Sequence, residues 1–156
     1  MDQISNDHQR SGMALDVGTQ RIGVAVANLG VRFARPLTTL EQPDRFVDDI
    51  CELVRQEDVA WVVIGLPRGM QGQDTAQTAQ TQAFGDELQQ RLASGNAPIP
   101  VYWTDEALTS ARAEAEIRSR GNARKPYAHA KGDIDALAAT YILEDFLIEQ
   151  SKEHHG

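Results

Sequence analysis

The sequence predicts an α/β fold, a mixed five-stranded sheet flanked by helices on both faces. Three observations predict it. Strand and helix signals alternate along the chain. The first two strand signals are joined by a short turn, as in an antiparallel hairpin. A later apolar run without alternation reads as a strand covered on both faces in a parallel region.

The elements follow in order. Met13-Ala14-Leu15-Asp16-Val17 and Ile22-Gly23-Val24-Ala25-Val26 are short runs rich in apolar residues, linked by Gly18-Thr19-Gln20-Arg21. Residues 31–39 supply a third strand. Pro43 opens a helical pattern with Phe46, Ile50 and Leu53 on one face. Val59-Ala60-Trp61-Val62-Val63-Ile64 is the non-alternating strand. A glycine-rich turn, Gly65 to Gly72, leads into a second helix from about Asp74, with Phe84, Leu88 and Leu92 spaced by four, and Gly95 to Pro98 ends it. Val101-Tyr102-Trp103 is a strand running into Thr104-Asp105-Glu106. A helix is expected from about Thr109, a basic loop over 118–131, and a last helix from Asp133 to about Glu149.

With 156 residues and an apolar share of 41%, the chain reads as one domain able to bury a core. The expected domain spans residues 12–150, between polar tails at 1–11 and 151–156. No stretch approaches the roughly 18 apolar residues a membrane span needs, and no secretory signal pattern opens the chain. A single cysteine, Cys51, cannot form an internal disulfide, which fits a reducing compartment. A cytoplasmic location is expected.

The net charge of −8 runs against a nucleic-acid partner, since such proteins usually carry a basic footprint. The charges are unevenly placed, however. From Arg112 to Lys131 there are six basic residues (Arg112, Arg118, Arg120, Arg124, Lys125 and Lys131) against two acids, Glu114 and Glu116. The acid excess lies mainly at 41–58 and in the tails.

Three carboxylates stand out. Asp16 follows apolar residues in the first strand, where an ionised carboxylate needs hydrogen bonds or a metal; bracing the Gly18 turn would account for it equally well. Asp105 and Glu106 close a strand, and sites in parallel sheets gather at the carboxyl ends of strands. Ordinary resumption of polar sequence explains Asp105 and leaves Glu106 open. Asp133 suits a helix N-cap. Asp135 leads a face of Ala138, Ala139, Ile142 and Phe146, which turns it toward the sheet.

If Asp16, Glu106 and Asp135 converge, electrostatics limits what they can do. Two carboxylates about 4 Å apart repel by roughly 4 kcal/mol at an effective dielectric near 20. Three persist only with bound protons or a divalent cation. All-oxygen ligands suit Mg²⁺ or Mn²⁺, and paired ions of this kind activate water and stabilise the leaving oxygen of a phosphodiester. No His/Cys cluster offers a zinc site, since His8, His129, His154 and His155 fall in loops or tails. Cys51 falls on an amphipathic helix and reads as core rather than nucleophile.

Four blocks resemble one known family. They are Leu15-Asp16-Val17-Gly18-Thr19-Gln20-Arg21-Ile22-Gly23-Val24-Ala25, Val63-Ile64-Gly65-Leu66-Pro67 with Gly72, Thr104-Asp105-Glu106-Ala107-Leu108-Thr109, and Lys131-Gly132-Asp133-Ile134-Asp135-Ala136-Leu137-Ala138-Ala139. In this order they are similar to the YqgF/RuvX family, pre-16S rRNA nucleases also described as Holliday-junction-resolvase-like. The resemblance spans about residues 13–147. It implies a ribonuclease-H-like fold, a cytoplasmic location, a role in maturing the 5′ end of pre-16S rRNA, and a metal site on Asp16, Glu106 and Asp135. One departure is that Ala107 stands where the family usually has arginine.

The expected partner is RNA (pre-rRNA) or branched DNA, with Arg118, Arg120, Arg124, Lys125 and Lys131 positioning phosphates; monomer and homodimer both remain open. The rivals are a Holliday-junction resolvase and a non-catalytic nucleic-acid-binding module on the same fold. A sugar or acetate kinase, similar in its Asp16-Val17-Gly18-Thr19 turn, would need two such domains around ATP. The Gly65–Gly72 turn lacks the Gly-Lys-Ser/Thr ending of a P-loop.

Overall fold

Strand β1 (Ser11–Val17) is the middle of the sheet and takes a partner of each kind. It pairs antiparallel with β2 (Ile22–Asn28) and parallel with β4 (Val59–Leu66). β3 (Ala34–Leu40) extends the antiparallel side and β5 (Val101–Asp105) the parallel side, giving the order β3-β2-β1-β4-β5. The computed structural model describes residues 8–67, 73–105 and 131–155.

Local sequence accounts for each strand. Every residue of β4 is buried, as its unbroken apolar run requires when both faces are covered. β3 is an edge strand containing Pro36, whose missing N–H an interior strand could not accommodate. The β2–β3 register shifts beside it, between Val24 and Ala25.

The helices divide between the faces. α1 (Phe46–Gln56), after a 3-10 turn at Pro43–Arg45, buries Phe46, Ile50 and Val54. The expected Leu53 packs only partly against that core. α2 (Ala76–Ala93) begins behind a capping box, with the Thr75 hydroxyl accepting from the Thr78 N–H and the Thr78 hydroxyl accepting from the Thr75 N–H. The Thr78 hydroxyl also donates to the Pro67 carbonyl at 2.6 Å, tying α2 to the end of β4. Both helices cover one core layer, built on Met13, Leu15, Val24, Val62, Ile64 and Leu88.

α3 (Lys131–His155) covers the other face. Its Ala139, Ile142, Leu143 and Leu147 pack on Ala14, Ala25, Ala27, Trp61 and Val63. The helix starts two residues before Asp133, so Asp133 lies inside its first turn and is not the N-cap. It also runs past Glu149, and Ser151, read from sequence as the start of a tail, is helical and accepts a hydrogen bond from Arg32 Nη2 at 3.1 Å. At the other end the polar opening becomes strand at Ser11, anchored by Arg10, which donates to the Val59 carbonyl at 2.7 Å. The helix expected from Thr109 and the basic loop fall outside the described residues. Among the described residues no helix is long and apolar enough to cross a membrane.

Candidate active site

Asp16 sits one residue from the carboxyl end of β1, half-buried among neighbours that carry no side chains. Gly23 faces it across β2 and Gly65 across β4, and Thr104 of β5 completes the row beyond Gly65. Cross-strand partners project to the same face of a sheet. Ala14, two residues earlier on β1, packs with α3, so strand alternation turns Asp16 toward the α3 side as well.

Gly23 determines how closely α3 approaches. A Cβ at Gly23 would lie 2.0 Å from the Asp135 carbonyl oxygen and 2.7 Å from the Ala136 nitrogen. The backbone of α3 therefore rests on the strand itself at this point. The same contact sets Asp135 above the residue that pairs with Asp16. Two carboxylates separated by over a hundred positions in sequence thus share one end of the sheet.

Asp135 is already engaged by a cation. Arg21 Nε donates to Asp135 Oδ2 at 2.7 Å, with the side chains 32% and 24% exposed respectively. Arg21 is held in place by its own backbone. The Gly18 N–H donates to the Arg21 carbonyl at 2.9 Å, closing the turn between β1 and β2, and the next residue enters β2. A Cβ at Gly18 would lie 3.0 Å from that carbonyl, so the turn is as tight as a side-chain-free residue permits.

The sequence-derived site residues divide accordingly. Asp16 and Asp135 are brought to one region, and Asp135 lies against the sheet as its apolar helix face required. β5 ends at Asp105, and Glu106, the next residue, lies outside the described residues, as do Arg118, Arg120, Arg124 and Lys125. Lys131 opens α3. Among the described residues no three His, Cys, Asp or Glu side chains group as a metal site. The donors that are described suit a hard divalent cation, being carboxylate oxygens, and Asp135 already attracts a positive group.

Sequence reasoning missed Arg21. It stands inside the Leu15–Ala25 block, where the sequence shows only a hairpin turn, and its partner lies 114 residues away. Cys51 is where the pattern put it, partly buried against the core of α1. Burial pushes its thiol pKa up, partly offset by Arg91 and reinforced by Asp48, which leaves a poor nucleophile.

The strand order and the helices on both faces define a ribonuclease-H-type fold. RuvC of Thermus thermophilus in complex with a Holliday junction substrate superposes with a TM-score of 0.54 over 91% of this chain and 96% of that one, at 18% identity. The fowlpox virus resolvase, solved with Holliday junction DNA, gives 0.54 over 88% and 99%, at 6% identity. At these identities the likeness is one of fold. The chain itself belongs to the RuvX family, described as Holliday junction resolvase, which matches residues 10–149. A Chloroflexus aurantiacus relative named as a candidate pre-16S rRNA nuclease is 42% identical over 137 residues, covering 86% of this chain and 84% of its own. A Chloroflexus aggregans relative of the same name is 41% identical over 142 residues, covering 90% and 94%.

Proposed function

We propose that this chain is a cytoplasmic, divalent-metal-dependent nuclease that hydrolyses phosphodiester bonds in maturing the 5′ end of pre-16S rRNA. The observation that carries the reading is the seating of α3 on Gly23, which brings Asp135 to the strand end where Asp16 stands. The names of the relatives support the substrate, and family membership supports the reaction class.

Asp16, Asp135 and Glu106 would hold Mg²⁺ or Mn²⁺, with Glu106 contributed from the residue after β5. Bound ions of this kind lower the pKa of water and stabilise a leaving oxygen. The protein's own part is placement. α3 rests on Gly23, the cross-strand neighbour of Asp16, and fixes Asp135 through backbone contact. Arg118, Arg120, Arg124, Lys125 and Lys131 would steer phosphates to an otherwise acidic chain. They set orientation rather than sequence choice.

The test is cleavage of an RNA carrying the 5′ flank of 16S rRNA, alongside a four-way DNA junction, with and without Mn²⁺. Asp16→Asn should lower the metal-dependent rate by about 100-fold or more, as loss or misplacement of a ligand does. Unchanged cleavage by Asp16→Asn would refute the assignment. A junction resolvase is the second reading, favoured by the family's description, and junction cleavage with intact RNA would select it. Binding without cleavage of either substrate would select a non-catalytic module.

A further inference from the structure

The Arg21–Asp135 pair is an ion pair inside the region proposed to hold a cation, and its purpose is not explained by holding the fold together. The β1–β2 turn is already closed by the Gly18–Arg21 backbone hydrogen bond, and α3 is already seated by Gly23 and the apolar face behind it. What the guanidinium adds is charge. It donates from Nε to Asp135 Oδ2 at 2.7 Å, in a partly buried setting where a paired opposite charge offsets the desolvation of a carboxylate.

We propose that Arg21 is the resident counter-ion of the site. It neutralises Asp135 while no divalent cation is bound, and it gives up the carboxylate when one binds. The proposal rests on the metal-dependent reading above. Its physical basis is competition for one carboxylate. A guanidinium on Oδ2 occupies a lone-pair direction and adds a positive charge beside any incoming dication, so it must weaken cation binding. A merely orienting partner acts with the opposite sign, because removing an outer-sphere hydrogen bond to a ligand loosens metal binding by roughly 10–100-fold. The direction of change therefore separates the two roles. Lysine in place of arginine keeps the charge and loses the planar fork.

The experiment is a Mn²⁺ titration followed by electron paramagnetic resonance, on the full chain without nucleic acid, for wild type, Arg21→Gln, Arg21→Lys and Asp16→Asn. Arg21→Gln should bind Mn²⁺ about tenfold more tightly or better, and Arg21→Lys should stay near wild type. Thermal melts should show Arg21→Gln destabilised without metal and gaining more than wild type from added Mn²⁺. Unchanged or weaker Mn²⁺ binding by Arg21→Gln overturns the proposal. A measurement on wild-type protein stands even if that variant fails to fold. The Arg21 Nε–H resonance, protected while paired, should lose protection as Mg²⁺ saturates the protein, and retained protection overturns the exchange. An Mn²⁺ site abolished by Asp16→Asn but indifferent to Arg21→Gln overturns the exchange alone. Absence of any Asp16-dependent Mn²⁺ site overturns the metal reading with it.

Discussion

Gly23→Ala is the most direct perturbation of the proposed site, because it adds one methyl group and no charge. The new Cβ would meet the Asp135 carbonyl oxygen at 2.0 Å, its carbonyl carbon at 2.2 Å and the Ala136 nitrogen at 2.7 Å. All three are backbone atoms of α3, so no side chain can rotate away. The helix and strand must part by more than about 1 Å to reach ordinary contact. Overpacking of this kind costs about 1–3 kcal/mol, and a rigid helix backbone puts the cost near the upper end. Alanine also lowers the entropy of the unfolded chain, which offsets about 0.4–1 kcal/mol. The net loss of about 2 kcal/mol corresponds to a melting temperature roughly 4–8 °C lower for a chain of this size. The same displacement moves Asp135 away from Asp16, and an error of about 1 Å in a catalytic constellation costs roughly 100-fold in rate. Urea melts and Mn²⁺-dependent cleavage measure the two effects on one protein. Gly95→Ala is the control. A Cβ there meets nothing within 4 Å, and it should leave stability unchanged or slightly raised. A Gly23→Ala protein that melts and cleaves like wild type would refute the claim that α3 rests on β2 at this residue.

Two further outcomes are expected. Burial raises the Cys51 pKa in the folded state, so the folded protein holds that proton more tightly than the unfolded chain. Its contribution is full below the unfolded thiol value, about pH 8.5, and is lost as pH rises through the raised folded value. Urea melts from pH 7 to 10 should show wild type losing more stability than Cys51→Ala, and parallel profiles would contradict it. Replacing Arg124 and Lys125 together by Ala should weaken nucleic-acid binding and reduce the slope of log K against log salt by about 1.4 for single strands or 1.8 for duplex DNA. A slope equal to wild type would remove those residues from the interface.

The sheet was legible because strands announce themselves locally. The unbroken run of β4 requires cover on both faces, and the apolar pairs around Gly18–Arg21 require a hairpin. Helix ends were less legible. Asp133 follows Gly132 and has the chemistry of a cap, yet α3 begins at Lys131, and the helix continues through Ser151 because Arg32 reaches across to meet it. Propensity carries no term for such a partner. Asp135 could be suspected from its apolar helix face, but Arg21 could not. An arginine in a polar turn is unremarkable until α3 is folded over it, and only the tertiary structure supplies the acid it pairs with.

The packing residues explain why the acid belongs at this end of α3. Near Asp135 the contact surfaces are small. Gly23 lies beneath it, and Ala14, Ala25, Ala138 and Ala139 are buried around the next turn. Toward the far end they grow to Ile142, Leu143 and Leu147, with Trp61 packed at a tilt against Phe146, 5.1 Å between ring centroids. Side-chain size sets the separation of packed elements, so this gradient draws the Asp135 end of the helix closest to the sheet. The carboxyl end of β1 is where Asp16 projects. Packing of small residues at the Asp135 end of α3 therefore holds the helix backbone against Gly23, the strand residue paired with Asp16. The Arg21 guanidinium, 2.7 Å from Asp135 Oδ2, supplies a positive charge at that end of the sheet.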